Sequence, residues 1–328
     1  MRRLTYIDAI IEGIAEEMRR DPDVFLIGQD IGRFGGSLQG TKGLWEEFGP
    51  SRIYEAPIAE SAMAGCGIGA ALMGLRPMVE ISFGEFLPTV MSQLVCHAAS
   101  IHYGTAGVAH VPLVIRTRVG IGPYRGHPQC YESWFQHVPG LKVVMPYWPA
   151  DAKGLIKAAI RDENPVLFFE HMFLYRGIRG EVPDGDHLVP IGRADIKRPG
   201  RDVTIAATGW MVLKALVAAD LLAREGIEAE VVDLRTLAPL DVETLCASVR
   251  RTGRLVVVHE AWKVGGIGAE IAATVAEEAF EDLEAPIVRV GTPHVPIPSN
   301  ETLRKVVIPD TPGIIAAVHQ TLGRLSSG

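Results

Sequence analysis

The chain has 328 residues, 48% hydrophobic and 22% charged, which exceeds one compact core and predicts two globular domains. A formal net charge of −7 argues against a nucleic-acid binder, which would present a basic face, and no apolar run is long and clean enough to span a bilayer. The four scattered cysteines contain no Cys-x-x-Cys pair, so they read as neither a disulfide framework nor a zinc site, and a reducing, cytoplasmic setting is expected.

"MRRLTYIDAIIEGIAEEMRR" opens the chain, and Glu12, Glu16 and Glu17 break any signal-peptide core in favour of an amphipathic helix. "DVFLIGQD" (residues 23–30) reads as a buried strand running into a long Gly-rich loop. "IYEAPIAESAMAGCGIGAALMG" (residues 53–74) follows, with Glu60 at the mouth of a helix made mostly of Ala and Gly. Small residues let a backbone or a flat ligand approach closely, and a poorly hydrated carboxyl there implies a use. "RPMVEISF" predicts a strand, "PTVMSQLVCHAASIHYG" a helix and "VPLVIRTR" a strand. "GLKVVMP" and "PVLFFE" are two more strands, with the helix "PADAKGLIKAAIRDEN" between them. Strands alternating with helices give a parallel sheet covered on both faces.

Periodicity stops between residues 175 and 200, a stretch rich in Gly, Pro and Asp, and then restarts. The strands "DVTIAATG", "IEAEVVDLRTLAP", "RLVVVHE" and "PIVRVGTP" alternate with the helices "WMVLKALVAADLLAREG", "DVETLCASVRRTG", "GIGAEIAATVAEEAF" and "GIIAAVHQTLGRL". The fold class is therefore α/β, two domains in series: residues 1–180, a linker at 181–199, and residues 200–328.

Several motifs admit more than one reading. "GCGIGA" (residues 65–70) matches a dinucleotide fingerprint but lacks a strand directly before it, so tight helix packing explains it better. "GGIGAE" (residues 265–270) follows a strand and could seat a phosphate, as many unliganded α/β turns could. His259 and Glu260 end that strand, where α/β proteins place functional groups. "YRGHPQCYESW" sets His127 on a loop after a parallel strand, among Arg125, Gln129 and Tyr131; a surface histidine is the alternative. "IRDENP" ends a helix with Asp162 and Asn164, where free carbonyls beside a carboxylate could hold a cation or mark a plain helix stop.

Four blocks in order, "GQDIGRFGG", "APIAESAMAGCGIGAALMGLRPMVE", "GHPQCYESWFQHVPGLKVVMP" and "DAKGLIKAAIRDENPV", make the chain resemble a β subunit of the thiamine-diphosphate-dependent first component of 2-oxo acid dehydrogenase complexes. That family includes the pyruvate, branched-chain 2-oxo acid and acetoin enzymes. The resemblance runs into the C-terminal half through "VDLRTLAPLD" and "VVHEAWKVGGIGAEI". It implies a transketolase-like pyrimidine-binding domain followed by a transketolase C-terminal domain. It also implies an α2β2 heterotetramer, with thiamine diphosphate sandwiched between α and β. The α subunit would bring the Gly-Asp-Gly…Asn motif that holds Mg2+ and the diphosphate, a motif this sequence lacks.

The same resemblance implies roles for individual residues. Glu60 bonds a ring nitrogen of the aminopyrimidine, Phe86 packs against that ring, and His127 moves protons or assists acyl transfer to lipoamide on a dihydrolipoyl acyltransferase. A potassium ion is implied at Leu113, Ala159, Ile160, Asp162 and Asn164. The implied activity is oxidative decarboxylation of a 2-oxo acid, or acetoin cleavage. The sequence departs from the family at Pro128, where Ser is usual, and at Gln29, where Glu is usual. The loop before His127 is basic, with Arg116, Arg118 and Arg125; it would suit an acidic or polar oxo acid, and contacts of these arginines with the backbone would explain it equally. Two other readings stand beside this one: a non-catalytic scaffold of the same fold, and an NAD-dependent oxidoreductase resting on "GCGIGA".

Overall fold

The computed structural model describes residues 1–120 and 126–323; the Tyr124–Arg125 part of the histidine motif lies outside them. The chain forms two compact units. The first takes residues 1–120, 134–144 and 148–191, and the second residues 126–133, 145–147 and 192–323.

The first unit begins with β1 (Arg2–Thr5), α1 (Tyr6–Arg20) and β2 (Val24–Gly28). Next come α2 (Leu44–Phe48), β3 (Ile53–Glu55), α3 (Glu60–Leu72), β4 (Arg76–Ile81), α4 (Ala99–Gly104) and β5 (Val114–Val119). α5 (Glu132–Gln136), whose first two residues belong to the second unit, leads into β6 (Lys142–Val144), α6 (Pro149–Arg161), β7 (Val166–His171), α7 (Leu174–Gly177) and β8 (Arg179–Val182). Its parallel strands lie in the order β6-β7-β5-β4-β2-β3. β5 and β7 are buried at every residue, as expected of strands covered on both faces. β2 connects onward to β3 on one side, while its neighbour β4 connects onward to β5 on the other, and ligands of open α/β sheets gather at the strand C-termini beside such a reversal. Glu60 follows β3 and Phe86 follows β4.

Helix α1 starts later than the sequence reading placed it. Residues 2–5 pair with β8 as an antiparallel strand, and Thr5 then caps α1 by accepting from the Asp8 N–H at 3.2 Å. α1 packs closely on α6, where a Cβ added to Gly13 would stand 2.8 Å from Ile156 Cγ2. Lys153, buried on α6, reaches Glu12 and Glu16 at 2.6 Å each. The single helix expected over residues 88–104 is instead a 3-10 turn at Gly84–Val90, a π-helical stretch at Ser92–Ala98 and α4. Pro88 lies in the first of these and supplies no N–H to a regular ladder.

The second unit contains β9 (Asp195–Arg198), β10 (Val203–Ala207), α8 (Trp210–Ala223), β11 (Ala229–Asp233), β12 (Thr236–Ala238) and α9 (Val242–Thr252). It continues with β13 (Leu255–Trp262), α10 (Ile267–Glu278), β14 (Val288–Thr292), α11 (Glu301–Val307) and α12 (Thr311–Thr321). Its sheet order is β14-β13-β10-β11-β9, with β9 antiparallel to β11 and the other pairs parallel. The stretch 181–199 therefore contains regular structure: β8 ends in it and β9 forms a sheet edge. Edge strands lack the continuous apolar signal of buried ones, which is why periodicity did not reveal β9.

Candidate active site

Glu60 is the first residue of α3, half-buried, and Ala59 before it provides no side-chain cap. A carboxylate in the first turn suits the positive end of the helix dipole. Among the described residues its carboxyl group makes no hydrogen bond or ion pair. The outward face of α3 is built from Ala62, Gly65, Cys66 and Gly69, and a Cβ added at Gly65 or Gly69 would meet nothing within 4 Å. Gly67, facing inward, is different: a Cβ there would lie 2.7 Å from Val79 Cγ2. "GCGIGA" thus lies inside a helix, with no strand-to-helix turn to cradle a diphosphate.

Phe86 is tied to this helix end. Ser61 donates its hydroxyl to the Thr89 carbonyl, and the Thr89 hydroxyl donates to the Phe86 carbonyl at 2.6 Å. The half-buried Phe86 ring meets Phe83 edge-on, with centroids 6.2 Å apart. An acid without a hydrogen-bond partner, a nearby aromatic held by its own loop and a bare face of small side chains suit a flat, polar-edged heterocycle such as an aminopyrimidine.

Below this region lies a buried ionic network that the sequence did not reveal. Arg116 and Arg118 are on β5, each 1% exposed, rather than in a substrate-facing loop. Arg116 binds Glu80 at 2.9 Å and also donates to Glu170. Arg118 binds Glu80 at 2.5 Å, the Ser82 carbonyl at 2.9 Å and the Tyr175 hydroxyl at 2.9 Å. Tyr175 donates its hydroxyl proton to Glu170. Burial alone would raise the Glu80 carboxyl, but Arg118 and Arg116 outweigh it and hold Glu80 below the usual range. Both arginines are committed to internal carboxylates, so neither supports selection of an acidic substrate. Arg125 lies outside the described residues. The preceding loop closes over the pair, since a Cβ at Gly40 would stand 2.6 Å from Arg118 Nη2. Gln29, half-buried, donates its side-chain amide to Asp30 at 3.2 Å.

In the second unit, His127 is half-buried with φ at +57°, directly before the buried Pro128. Left-handed backbone outside glycine is costly and collects at functional sites. Four residues further, the Tyr131 ring lies 5.7 Å from that of Trp262. Glu132, 1% exposed, has no partner for Oε2 among the described residues. Burial pushes its carboxyl up to about 7, with its own backbone N–H opposing the shift and Glu260 adding to it. His259 is fully buried, and neither ring nitrogen has a partner among the described residues. Burial lowers its pKa to about 4, so the ring is neutral at physiological pH. Cβ atoms at Gly266, Gly268 and Gly291 would come within 2.5–2.8 Å of that imidazole. Gly266 and Gly268 of "GGIGAE" are thus explained by ring packing, and Gly265 by its left-handed φ of +65°.

At the end of α6, Arg76 donates to the carbonyls of Ile160 and Asp162, each at 3.0 Å. Lys142 pairs with the Asp162 carboxylate. The Leu113 carbonyl accepts from the Val166 N–H at 2.9 Å and that of Ala159 from the Asp162 N–H at 3.3 Å. The Asn164 N–H donates to the Asp162 carboxylate at 2.9 Å. Carbonyl oxygens carry two lone pairs, so this set retains capacity for a monovalent cation shared with Arg76. Among the described residues no group of three His, Cys, Asp or Glu side chains is arranged to hold a metal ion. A cleft of about 740 Å³ lies elsewhere on the first unit, walled by α1, residues 39–47 and Arg176 and Arg179, and neither Glu60 nor Phe86 lines it.

Residues 2–177 match the family described as the transketolase pyrimidine binding domain, and residues 192–314 the transketolase C-terminal domain. The 2-oxoisovalerate dehydrogenase subunit beta of Bacillus subtilis (strain 168) is 45% identical, covering 98% of this chain and 99% of that protein. The acetoin:2,6-dichlorophenolindophenol oxidoreductase subunit beta of Cupriavidus necator is 46% identical, covering 98% of each. The mitochondrial pyruvate dehydrogenase E1 component subunit beta-2 of Oryza sativa subsp. japonica is 43% identical over 98% of this chain and 87% of that protein. A solved structure described as a split gene transketolase, inactive beta4 tetramer, is similar with a TM-score of 0.81 and 26% identity, covering 98% of both chains.

Proposed function

The chain belongs to the transketolase-fold family of 2-oxo acid dehydrogenase β subunits, and we propose that it carries the aminopyrimidine half of a thiamine-diphosphate site in such an enzyme. Paired with an α subunit as α2β2, it takes part in oxidative decarboxylation of a 2-oxo acid, with the acyl group passing to lipoamide on a dihydrolipoyl acyltransferase. Acetoin cleavage is the related activity proposed beside it, since one relative is by its name an acetoin oxidoreductase subunit. The α subunit supplies the diphosphate and Mg2+ contacts, so this chain alone is inactive; the "inactive beta4 tetramer" among its structural relatives supports that dependence.

When bound, thiamine diphosphate supplies a carbon nucleophile for the keto group. The chain's own residues prepare it. Glu60 holds a proton at a ring nitrogen of the aminopyrimidine, a role suited to a half-buried carboxyl with no competing partner. Phe86 offers its face to the ring and fixes its tilt. His127 moves a proton during acyl formation or transfer, held in place by a strained backbone. Leu113, Ala159, Ile160, Asp162 and Asn164 hold a potassium ion of structural role.

The observation that carries this reading is the Glu60 carboxyl at the start of α3, without a partner of its own beside a face of small residues. Its test is turnover of a panel of 2-oxo acids and acetoin by the reconstituted α/β pair, with and without thiamine diphosphate. The reading requires cofactor-dependent turnover of at least one of them, and cofactor-independent activity would refute it.

A further inference from the structure

The cleft of about 740 Å³ on the first unit is walled by charges of both signs, and most of them neutralise one another. Glu12 pairs with Arg2 at 2.7 Å and with Lys153 at 2.6 Å. Glu16 meets Lys153 and Lys157 at 2.6 Å each, and Glu47 meets Nη2 of Arg19 at 2.7 Å. Asp8 takes the Thr5 hydroxyl at 2.5 Å. Three cations of the wall are left over. Lys42, Arg176 and Arg179 are exposed, and among the described residues their side chains make no hydrogen bond or ion pair. They come from the segment before α2, from α7 and from β8, and the one carboxylate of the wall without a cation is Asp8. A cleft with that surplus of positive charge attracts anions.

Arg176 and Gln39 also wall a second cavity, of about 480 Å³, whose other sides are mostly apolar: Leu38, Met172, Phe173 and Tyr175. Phe173 and Arg176 are three residues apart around the turn of α7 and so are neighbours. The Phe173 ring stacks on His171, with centroids 6.2 Å apart and planes at 22°, and the residue is still 39% exposed. A further flat ring can extend that stack. Leu38 and Gln39 hold left-handed backbone at φ +56° and +62°, a strain that collects at ligand sites. We infer that the two cavities, joined at Arg176 and Gln39, form one site for a nucleoside phosphate. The phosphates lie among Lys42, Arg176 and Arg179, where guanidinium forks match phosphate oxygens, and the base lies on Phe173. This site goes beyond the decarboxylation reading, since Glu60 and Phe86 line neither cavity.

The test is calorimetric titration of the assembled α/β enzyme, saturated with thiamine diphosphate and Mg2+, with ADP, pyrophosphate and adenosine as probes. Stacking tolerates any base, so ADP stands for the class. ADP should bind at least about tenfold tighter than pyrophosphate or adenosine, because it reaches both cavities. Arg176→Gln and Arg179→Gln should each weaken ADP and pyrophosphate about tenfold, the effect of losing one charged hydrogen bond. Phe173→Ala should weaken ADP about tenfold through lost stacking and leave pyrophosphate unchanged. Should an arginine variant fail to assemble, Lys42→Gln replaces it with the same expectation. No ADP binding at millimolar concentration, or ADP binding no tighter than pyrophosphate, would overturn the inference. So would ADP binding that these variants leave unchanged, which would place the nucleotide elsewhere on the enzyme.

Discussion

Arg118 donates from Nη1 to the main-chain oxygen of Ser82 at 2.9 Å, and Ser82 adjoins Phe83, whose ring meets Phe86. The buried ion network is thereby joined to the segment proposed to carry the pyrimidine-facing aromatic. Replacing Arg118 with Met leaves Glu80 with Arg116 alone and frees the Ser82 carbonyl. Loss of one member of a buried ion pair costs about 3–5 kcal/mol. Denaturant unfolding of the purified chain should show that loss. The reconstituted enzyme should also need more thiamine diphosphate for half-maximal activity, whereas unchanged stability would remove the network from this role.

The two faces of α3 predict opposite outcomes for two glycines. Gly67→Ala would bring a Cβ to 2.7 Å from Val79, and overpacking of this kind costs roughly 1–3 kcal/mol. A Cβ at Gly65 meets nothing within 4 Å, so a Gly65→Leu chain on its own should melt within a few degrees of wild type. The same Gly65 variant should fail to assemble with the α subunit, as measured by size-exclusion chromatography, if that face lies against a partner or cofactor. Normal assembly would place the partner elsewhere.

Two buried groups in the second unit predict opposing pH dependences of stability. His259 is held neutral with its pKa lowered to about 4. The unfolded state therefore binds more protons, and stability present above about pH 6.5 is lost as pH falls toward 4. Glu132, raised to about 7, has the reverse sign: stability present below about pH 4.5 is lost as pH rises through 7. Each shift corresponds to about 3 kcal/mol as an upper estimate. His259→Leu should flatten the acid side of a stability–pH curve measured by urea unfolding, and Glu132→Gln the neutral side. A variant that left its own side of the curve unchanged would contradict the corresponding sign.

Potassium at the end of α6 is checked by melting the chain in potassium, sodium or choline chloride at equal ionic strength. Binding requires a Tm several degrees higher in potassium, because a ligand stabilises only the state that binds it. Asp162→Ala should remove the difference. Equal melting in the three salts would leave Arg76 and Lys142 as the only cations serving these oxygens.

The α/β order of both units was legible because buried strands form continuous apolar runs, as "PVLFFE" and "RLVVVHE" do. So was the position of Glu60 at the start of α3, marked by an acid ahead of a run of small residues. What stayed hidden depends on contacts distant in sequence. Nothing local to Arg116 and Arg118 shows that they meet Glu80, 36 and 38 residues away. The three glycines at 266, 268 and 291 gain their common explanation only when the His259 ring is seen among them. The helix expected at 88–104 failed for a nameable reason, since Pro88 interrupts the regular ladder and the chain passes through 3-10 and π geometry before becoming α-helical.

The central claim is that Glu60 activates a cofactor held against this chain, and one substitution addresses it most directly. In the reconstituted α/β enzyme, Glu60→Gln should preserve assembly and cofactor binding, measured by calorimetry with thiamine diphosphate and Mg2+. It should lower the decarboxylation rate by at least the 10²–10⁴-fold typical of losing a positioned proton-transfer group. A Glu60→Gln enzyme that binds the cofactor and turns over at near wild-type rate would contradict the account.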